Sequence, residues 1–295
     1  MPTTGLDALM KPPPFIYHCP RTIDEALALL AAGGDSDIRI LAGGQSLIPL
    51  MNFRVALPDQ LVDINFVDEL DYIREDEGCL AIGAAVRLAT AEHSPDVARL
   101  APLLGEALRS VAHPPVRNRG TVVGSIAHAD PAAELPALLL ALDGDVVLRS
   151  TTGERRVAAA DFFESPLVTA IQPGELVVEA RFPVSRGRSG YALVEFTRRH
   201  ADFAVAGSVV ALEPANGSPG HAAIALFGIT GTPVRADGAE AMLAADENAE
   251  ARQVADAAVG ELKILGDIHG RPEYRRRVAR ACVRRALERA RGGLQ

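Results

Sequence analysis

The sequence predicts an α+β fold in two parts, and three observations predict it. Short apolar, β-prone runs and capped helical stretches, separated by clusters of turn residues, fill the first 184 positions. A run of small and charged residues at 185–190 then breaks the pattern like a linker. Beyond it the chain reads as three strands followed by three helices, the order of an α+β unit rather than of alternating parallel-sheet units. The 295 residues allow one large domain or two to three compact units. Hydrophobic residues make up 48% and aromatics 4%, with no Trp, so the core must be mainly Ala, Val, Leu and Ile. No internal repeat or low-complexity segment occurs.

The elements follow in order. Residues 1–14 are Pro-rich and predict extended chain, and 15–18 reads as a strand. Thr22, with Glu25 three residues on, predicts a helix over 23–32 that ends at Gly33-Gly34. Strands are expected at 38–41, 61–64, 72–74 and 79–83. Helices are expected to open at 90–93, to run over 98–111, and to be buried over the apolar stretch 134–142. A hairpin over 144–150 and 154–158 turns at Thr151-Thr152-Gly153, and 176–182 is a further strand. After the linker, strands are expected at 191–197, 204–212 and 221–229, with a Pro/Gly/Ser turn over 213–220. Helices are expected at 236–245, 248–265 and 272–291.

Charge and cysteine usage exclude several classes. The net charge of −8 argues against a nucleic-acid binder, which needs a basic surface to displace counterions. Residues 271–291 hold nine Arg against two Glu, read first as the solvated face of a terminal helix and second as a docking surface for an acidic partner. Cys19, Cys79 and Cys282 are isolated, with no Cys-x-x-Cys and no His at a metal-ligand spacing. No signal-like segment opens the chain and no apolar run reaches spanning length, so a soluble cytoplasmic protein without a membrane span is expected.

Two small-residue loops carry the chemistry. Ala42-Gly43-Gly44-Gln45-Ser46 lies between Leu41, at the end of an apolar run, and Leu47. Thr121-Val122-Val123-Gly124-Ser125 leads into Ile126-Ala127-His128-Ala129-Asp130-Pro131. Successive glycines let backbone N–H groups converge on an anion, so two such nests could hold the two phosphates of a dinucleotide from opposite sides. The Rossmann spacing and the Walker Lys-Ser/Thr are both absent. Taken singly, each loop reads equally as a tight turn.

With their flanks, Asn52-Phe53-Arg54, Leu61-Val62-Asp63-Ile64, His113-Pro114-Pro115-Val116-Arg117-Asn118-Arg119-Gly120 and Ala132-Ala133-Glu134-Leu135-Pro136, the loops resemble the FAD-binding medium subunit of the molybdenum hydroxylase family. Carbon monoxide dehydrogenase and xanthine dehydrogenase belong to that family. Arg198-Arg199-His200-Ala201-Asp202-Phe203, Thr232-Pro233-Val234-Arg235 and Tyr274-Arg275-Arg276-Arg277 extend the resemblance to the C-terminus. It implies a two-part FAD-binding domain of the vanillyl-oxidase-like type over 1–184, with its subdomain boundary near 60–65. A smaller α+β domain with a three-stranded sheet and helices would follow over 190–295.

The resemblance implies non-covalent FAD held by Leu41, Ala42, Gly43, Gly44, Gln45, Ser46 and Leu47 and by Thr121, Val122, Val123, Gly124 and Ser125. The family usually has Gly where this chain has Val123. Glu134 matches an acidic position that receives ribose hydroxyls; its plainer reading is a first-turn carboxylate on the helix it opens. His128 is expected near the cofactor without a catalytic role. Arg199 and Asp202, with Arg198, are expected on the isoalloxazine side or else in an ion pair shaping their turn. Asp130, His113, Arg117 and Arg119 carry weaker expectations. The molybdenum cofactor is expected on a large partner subunit and two [2Fe-2S] clusters on a small one. This chain would pass their electrons from FAD to an external acceptor. The alternatives are a stand-alone FAD oxidoreductase and a scaffold that has lost its flavin.

Overall fold

The computed structural model describes residues 11–184, 190–213 and 221–294. The first ten residues, nearly all of the expected linker and most of the expected 213–220 turn lie outside the described residues.

Three short strands, β1 (Ile16–His18), β2 (Ile38–Leu41) and β3 (Gln60–Asp63), form a parallel sheet in the order β1-β3-β2. Parallel neighbours need crossovers, and α1 (Ile23–Ala32) provides the first. Thr22 caps it by accepting the Glu25 amide at 3.1 Å, and Glu25 in turn accepts the Arg21 amide at 2.7 Å. The second crossover, α2 (Leu47–Asn52), is not anticipated from the sequence, because Pro49 interrupts the run. Pro49 falls in the first turn, where its missing N–H costs no helical bond.

Strands β4 (Ile73–Asp76), β5 (Cys79–Gly83), β6 (Asp145–Ser150) and β7 (Gly153–Ala158) enter a second sheet. A small ribbon, β8 (Phe163–Ser165) with β9 (Val168–Thr169), precedes β10 (Leu176–Pro183), which completes five antiparallel strands in the order β4-β5-β10-β6-β7. Arg181 in this sheet is 2% exposed and pairs with Glu179 at 2.9 Å and Asp76 at 3.0 Å; Tyr72 donates to Glu179.

Seven further helices fill the same half: α3 (Leu88–Glu92), α4 (Pro95–Leu100), α5 (Pro102–Ser110), α6 (Pro114–Arg117), α7 (Val122–His128), α8 (Glu134–Ala141) and α9 (Ala159–Phe162). The single helix expected over 98–111 is two. Pro102 disfavours helical geometry at the residue before it, and Ala101 sits at φ −139°, ψ 64°. Every residue of α8 is buried.

The C-terminal unit is an antiparallel meander of β11 (Gly190–Thr197), β12 (Ala204–Glu213) and β13 (His221–Phe227). The two-residue β14 (Val234–Arg235) adds a fourth strand to the three expected. α10 (Asp237–Ala245), α11 (Ala251–Gly260) and α12 (Pro272–Gly293) pack on one face. α11 stops at Gly260 rather than 265; Arg276 ties down the chain beyond it, donating to the carbonyls of Gly260 and Leu262 at 3.2 and 2.7 Å. The other face of the meander, through Leu193, Val209, Ala225 and Phe227, joins the core that contains α5 and α8. Across this boundary Gly228 donates its amide to Pro131 at 2.7 Å, and Arg235 pairs with Asp143 at 2.7 Å.

Candidate functional site

The first loop turns out of β2 and into α2. Gly44 sits at φ 72°, a left-handed conformation that favours glycine. The loop is braced by Gln45 Nε2 donating to the Gly43 carbonyl at 3.1 Å and by the Ile48 amide donating to Gly44 at 3.0 Å. The amides of Gly43, Gly44, Gln45 and Ser46 meet no acceptor among the described residues. Four successive free donors at the end of a parallel strand suit an anion with several oxygens.

The second loop is built differently. Thr121 caps α7, its Oγ1 accepting the Gly124 amide at 3.0 Å, while the Ser125 amide turns back to the Thr121 carbonyl at 3.1 Å. A Cβ on Gly124 would fall 2.5 Å from that Oγ1. Val122 and Val123 are buried in the main core, so the Val123 side chain points inward. The Gly124 amide therefore serves the cap and the Ser125 amide the first helical turn, while the Val122 amide donates to the Val86 carbonyl at 3.2 Å.

The first loop is in close contact with the chain just before the second. A Cβ on Gly43 would lie 2.5 Å from both Arg119 O and Gly120 Cα. Beside the contact opens a cleft of about 460 Å³, lined by Leu41, Ala42, Gly43, Gly44, Gln45, Ile48, Pro49, Asp63, Asn65 and Arg119. Asp63 and Asn65 carry no sequence signature as site residues, yet they fix the first loop. Asp63 accepts Tyr17 Oη at 2.6 Å and the Asn65 amide at 2.9 Å, and Asn65 Nδ2 donates to the Ala42 carbonyl at 2.8 Å. Arg87 completes the brace by donating to Asn65 Oδ1 and to the Arg119 carbonyl. Burial, with Arg119 nearby, holds the Arg87 guanidinium below its ordinary value. Among the described residues, Arg119 is the one cation that lines the cleft.

The remaining expected residues lie apart from this cleft. Glu134 opens α8, 7% exposed; burial pushes its carboxyl up to about 7, Asp130 adds to this, and its own backbone amide opposes it. His128 ends α7; burial holds its imidazole below the ordinary value against the pull of Asp130. Asp130 accepts the Ala132 amide at 2.8 Å. A second cleft, of about 340 Å³, lies between this segment and the C-terminal unit; Asp130, Arg198, Asp202, Phe203, His269 and Arg275 are among its lining residues. Asp202 faces it, whereas Arg199 is exposed and does not line it. The ion pair considered for the 198–202 turn does not form. Asp202 donates its amide to the Arg199 carbonyl at 3.2 Å, Ala201 takes φ 61°, and Arg198 reaches His269 Nδ1 at 3.0 Å instead.

Comparison with known proteins fixes the class and then the family. A family model described as the FAD binding domain in molybdopterin dehydrogenase matches residues 13–185, so the cleft belongs to a flavoprotein. A second, described as the CO dehydrogenase flavoprotein C-terminal domain, matches 191–290. The chain belongs to the molybdenum hydroxylase family, as an FAD-binding oxidoreductase subunit of the carbon monoxide dehydrogenase and xanthine dehydrogenase type. It is 44% identical over 286 residues to the 6-hydroxypseudooxynicotine dehydrogenase complex subunit alpha of Paenarthrobacter nicotinovorans, covering 95% of this chain and 96% of that one. The solved carbon monoxide dehydrogenase of Hydrogenophaga pseudoflava, which lacks the Mo-pyranopterin moiety, matches with TM-score 0.91 and 38% identity, over 96% of this chain and 99% of that one. Quinoline 2-oxidoreductase of Pseudomonas putida 86 matches with TM-score 0.89 and 36% identity, over 97% and 100%.

Proposed function

We propose that this chain is the flavin-carrying electron-transfer subunit of a three-chain molybdenum hydroxylase. It takes electrons that originate at a molybdenum centre on a large partner and arrive through two iron–sulfur clusters on a small one, and it passes them to an external acceptor. The observation that carries the reading is the row of free amides at Gly43, Gly44 and Gln45, which line a cleft that also presents Arg119, with the free Ser46 amide next in the chain. That donor set fits a diphosphate.

The chain's residues then divide the work of holding FAD. The amides of Gly43, Gly44, Gln45 and Ser46 receive diphosphate oxygens, Arg119 balances their charge, and Leu41 and Ile48 give the cleft its apolar wall. Asp63, Asn65 and Arg87 keep the two loops at a fixed separation. Glu134, once ionised, receives ribose hydroxyls as an acceptor-only carboxylate. Asp202, from the second cleft, lies on the isoalloxazine side. His128, kept neutral by burial, packs near the cofactor and moves no proton. Bound FAD would supply the redox chemistry itself, accepting and releasing electrons singly or in pairs.

Gln45 stands in the first loop, where a covalent flavoenzyme commonly has a His or Cys tether, so FAD is read as non-covalent. Cys19, Cys79 and Cys282 lie on three separate segments, and among the described residues no three His, Cys, Asp or Glu side chains are grouped as metal ligands. This supports iron–sulfur clusters on another chain. Acid or heat precipitation of the purified protein tests the cofactor reading. All flavin should appear in the supernatant and run as FAD; flavin kept in the washed pellet, or a colourless protein, overturns it.

A further inference from the structure

One arginine of the C-terminal helix has no part in the flavin reading, yet it reaches both walls of the second cleft. Residues 271–291 hold nine Arg, and the sequence gives no reason to single one out. The structure singles out Arg275, which is 7% exposed; among the described arginines only it and Arg181 are buried. Its neighbour Arg276 bonds the carbonyls of Gly260 and Leu262, Arg280 pairs with Asp256, and Arg284 pairs with Glu288, all away from the cleft. Burying a guanidinium is costly unless its donors are met, and a well-packed apolar side chain often serves stability as well. A buried cation at this position points to a task beyond packing.

The task follows from what the guanidinium holds. Nη1 donates to the Val205 carbonyl at 3.1 Å and to the Gly228 carbonyl, and Nη2 donates to Asp267 Oδ2 at 2.5 Å. Val205 is the second residue of β12, directly after the 198–203 turn. Gly228 follows β13 at φ 76°, and a Cβ there would lie 2.9 Å from the Ala204 carbonyl oxygen, so the two strand ends are close-packed. The Gly228 amide reaches across to Pro131 O at 2.7 Å, between His128 and Glu134. On the other side, Asp267 Oδ1 closes the 267–270 turn by accepting the amides of His269 at 2.7 Å and Gly270 at 3.2 Å. Arg198 Nη1 then meets His269 Nδ1 at 3.0 Å. The path from Pro131 through Gly228, Arg275, Asp267 and His269 to Arg198 consists of cleft-lining residues throughout.

We propose that Arg275 is a positioning residue for the flavin ring: its guanidinium fork ties the 198–203 turn, through Asp267 and His269, to the Pro131 segment of the other unit, through Gly228, and so fixes the two walls of the second cleft against each other. This rests on the placement of the isoalloxazine beside Asp202. Arg275 acts through the walls it holds and needs no contact of its own with the flavin. A site keeps its geometry only when the groups around it are themselves locked by packing and hydrogen bonds. The hold depends on the fork as well as on the charge. Three acceptors on three segments are met by one planar group, which an ammonium on a flexible stem does not reproduce.

The test is the FAD dissociation constant of the full chain together with the visible circular dichroism of the bound flavin, both read below the melting temperature of each variant. Arg275→Met should weaken FAD by about tenfold and change the flavin dichroism. Asp267→Ala removes a half-exposed carboxylate and leaves both carbonyl bonds of Arg275 in place, so it should change the dichroism in the same sense at a smaller cost in melting temperature; it carries the test if Arg275→Met does not fold. Arg275→Lys keeps the charge without the fork and should not restore the wild-type spectrum. Arg276→Met, one residue along the helix, should lower the melting temperature alone. Wild-type flavin dichroism and affinity in Arg275→Met or Asp267→Ala, full recovery by Arg275→Lys, or an equal flavin change in Arg276→Met overturns the proposal. Asp202→Ala separates this from the reading beneath it. If Asp202→Ala alters the dichroism and Arg275→Met does not, the proposal alone fails; if neither does, the placement of the isoalloxazine at this cleft fails and takes the proposal with it.

Discussion

Gly44→Val should empty the cofactor cleft while leaving the fold standing. Gly44 lies at φ 72°, and an L-residue there costs about 1–2 kcal/mol. A Cβ would sit 3.1 Å from Leu41 Cδ1, a side-chain end, and 3.2 Å from Ile48 Cγ1, next to the branched Cβ, so the crowding adds about 0.5–1.5 kcal/mol of rotamer strain. The total of roughly 1.5–3.5 kcal/mol is below the about 5–15 kcal/mol of a typical domain. The chain can relieve the strain by rotating the 43–46 backbone, which turns the free amides away from the diphosphate. Hydrogen bonds to a charged group contribute about 1.5–3 kcal/mol each, so losing two should weaken FAD by roughly 10²- to 10⁴-fold. Circular dichroism reports the fold, and flavin per chain after gel filtration reports the cofactor. Native-like dichroism with wild-type flavin content would refute the placement of the diphosphate on these amides.

Three further perturbations separate the parts of the account. Gly43→Ala places its methyl 2.5 Å from backbone atoms of Arg119 and Gly120, which cannot rotate away, so melting temperature and FAD content should fall together; an unchanged melting curve would show that the first loop is not in fixed contact with the chain just before the second. Glu134→Ala should weaken FAD by about 1–3 kcal/mol in titration calorimetry and leave FMN, which lacks the adenosine ribose, unaffected; equal losses for both would make Glu134 a helix-capping group only. Arg181→Met strands the buried Glu179 without its closest cation and should cost about 3–5 kcal/mol in denaturant unfolding, with flavin per folded chain unchanged; a loss below about 1 kcal/mol would mean that the Asp76–Arg181–Glu179 network does not hold the five-stranded sheet.

The parts of this structure legible in the sequence are those written in local chemistry. Thr22 and Glu25 mark the start of α1, the apolar run at 134–142 announces a buried helix, and the Gly43-Gly44 pair marks the first loop. What was not legible depends on contacts remote in sequence. Asp63 and Asn65 reach the cleft only because β3 lies beside β2, bringing the residues after one strand against the loop after the other. The second loop resembles the first in composition, yet Thr121 converts it into a capped helix and uses amides that a small-residue count would leave free. The split of the 98–111 helix at Pro102 could have been read from the X-Pro rule, but the apolar periodicity on both sides obscured it. Arg198 and Asp202, four apart in a turn, invite an ion pair; instead Arg198 turns to His269, a residue 71 positions away.

The central claim is that this chain carries flavin for a molybdenum centre it does not itself hold. The most direct measurement is affinity purification of the tagged chain from its native host, followed by chain identification, metal and flavin analysis, and rapid-mixing spectroscopy of the purified assembly. The account predicts a large molybdenum subunit and a small two-cluster iron–sulfur subunit with molybdenum, iron and FAD in fixed proportion. It also predicts flavin that organic substrate reduces only in the assembly, while the chain alone shows slow, non-specific diaphorase activity. A chain that purifies by itself, free of molybdenum and iron, and turns over a small organic substrate at ordinary enzyme rates would contradict it and establish a self-sufficient flavoenzyme.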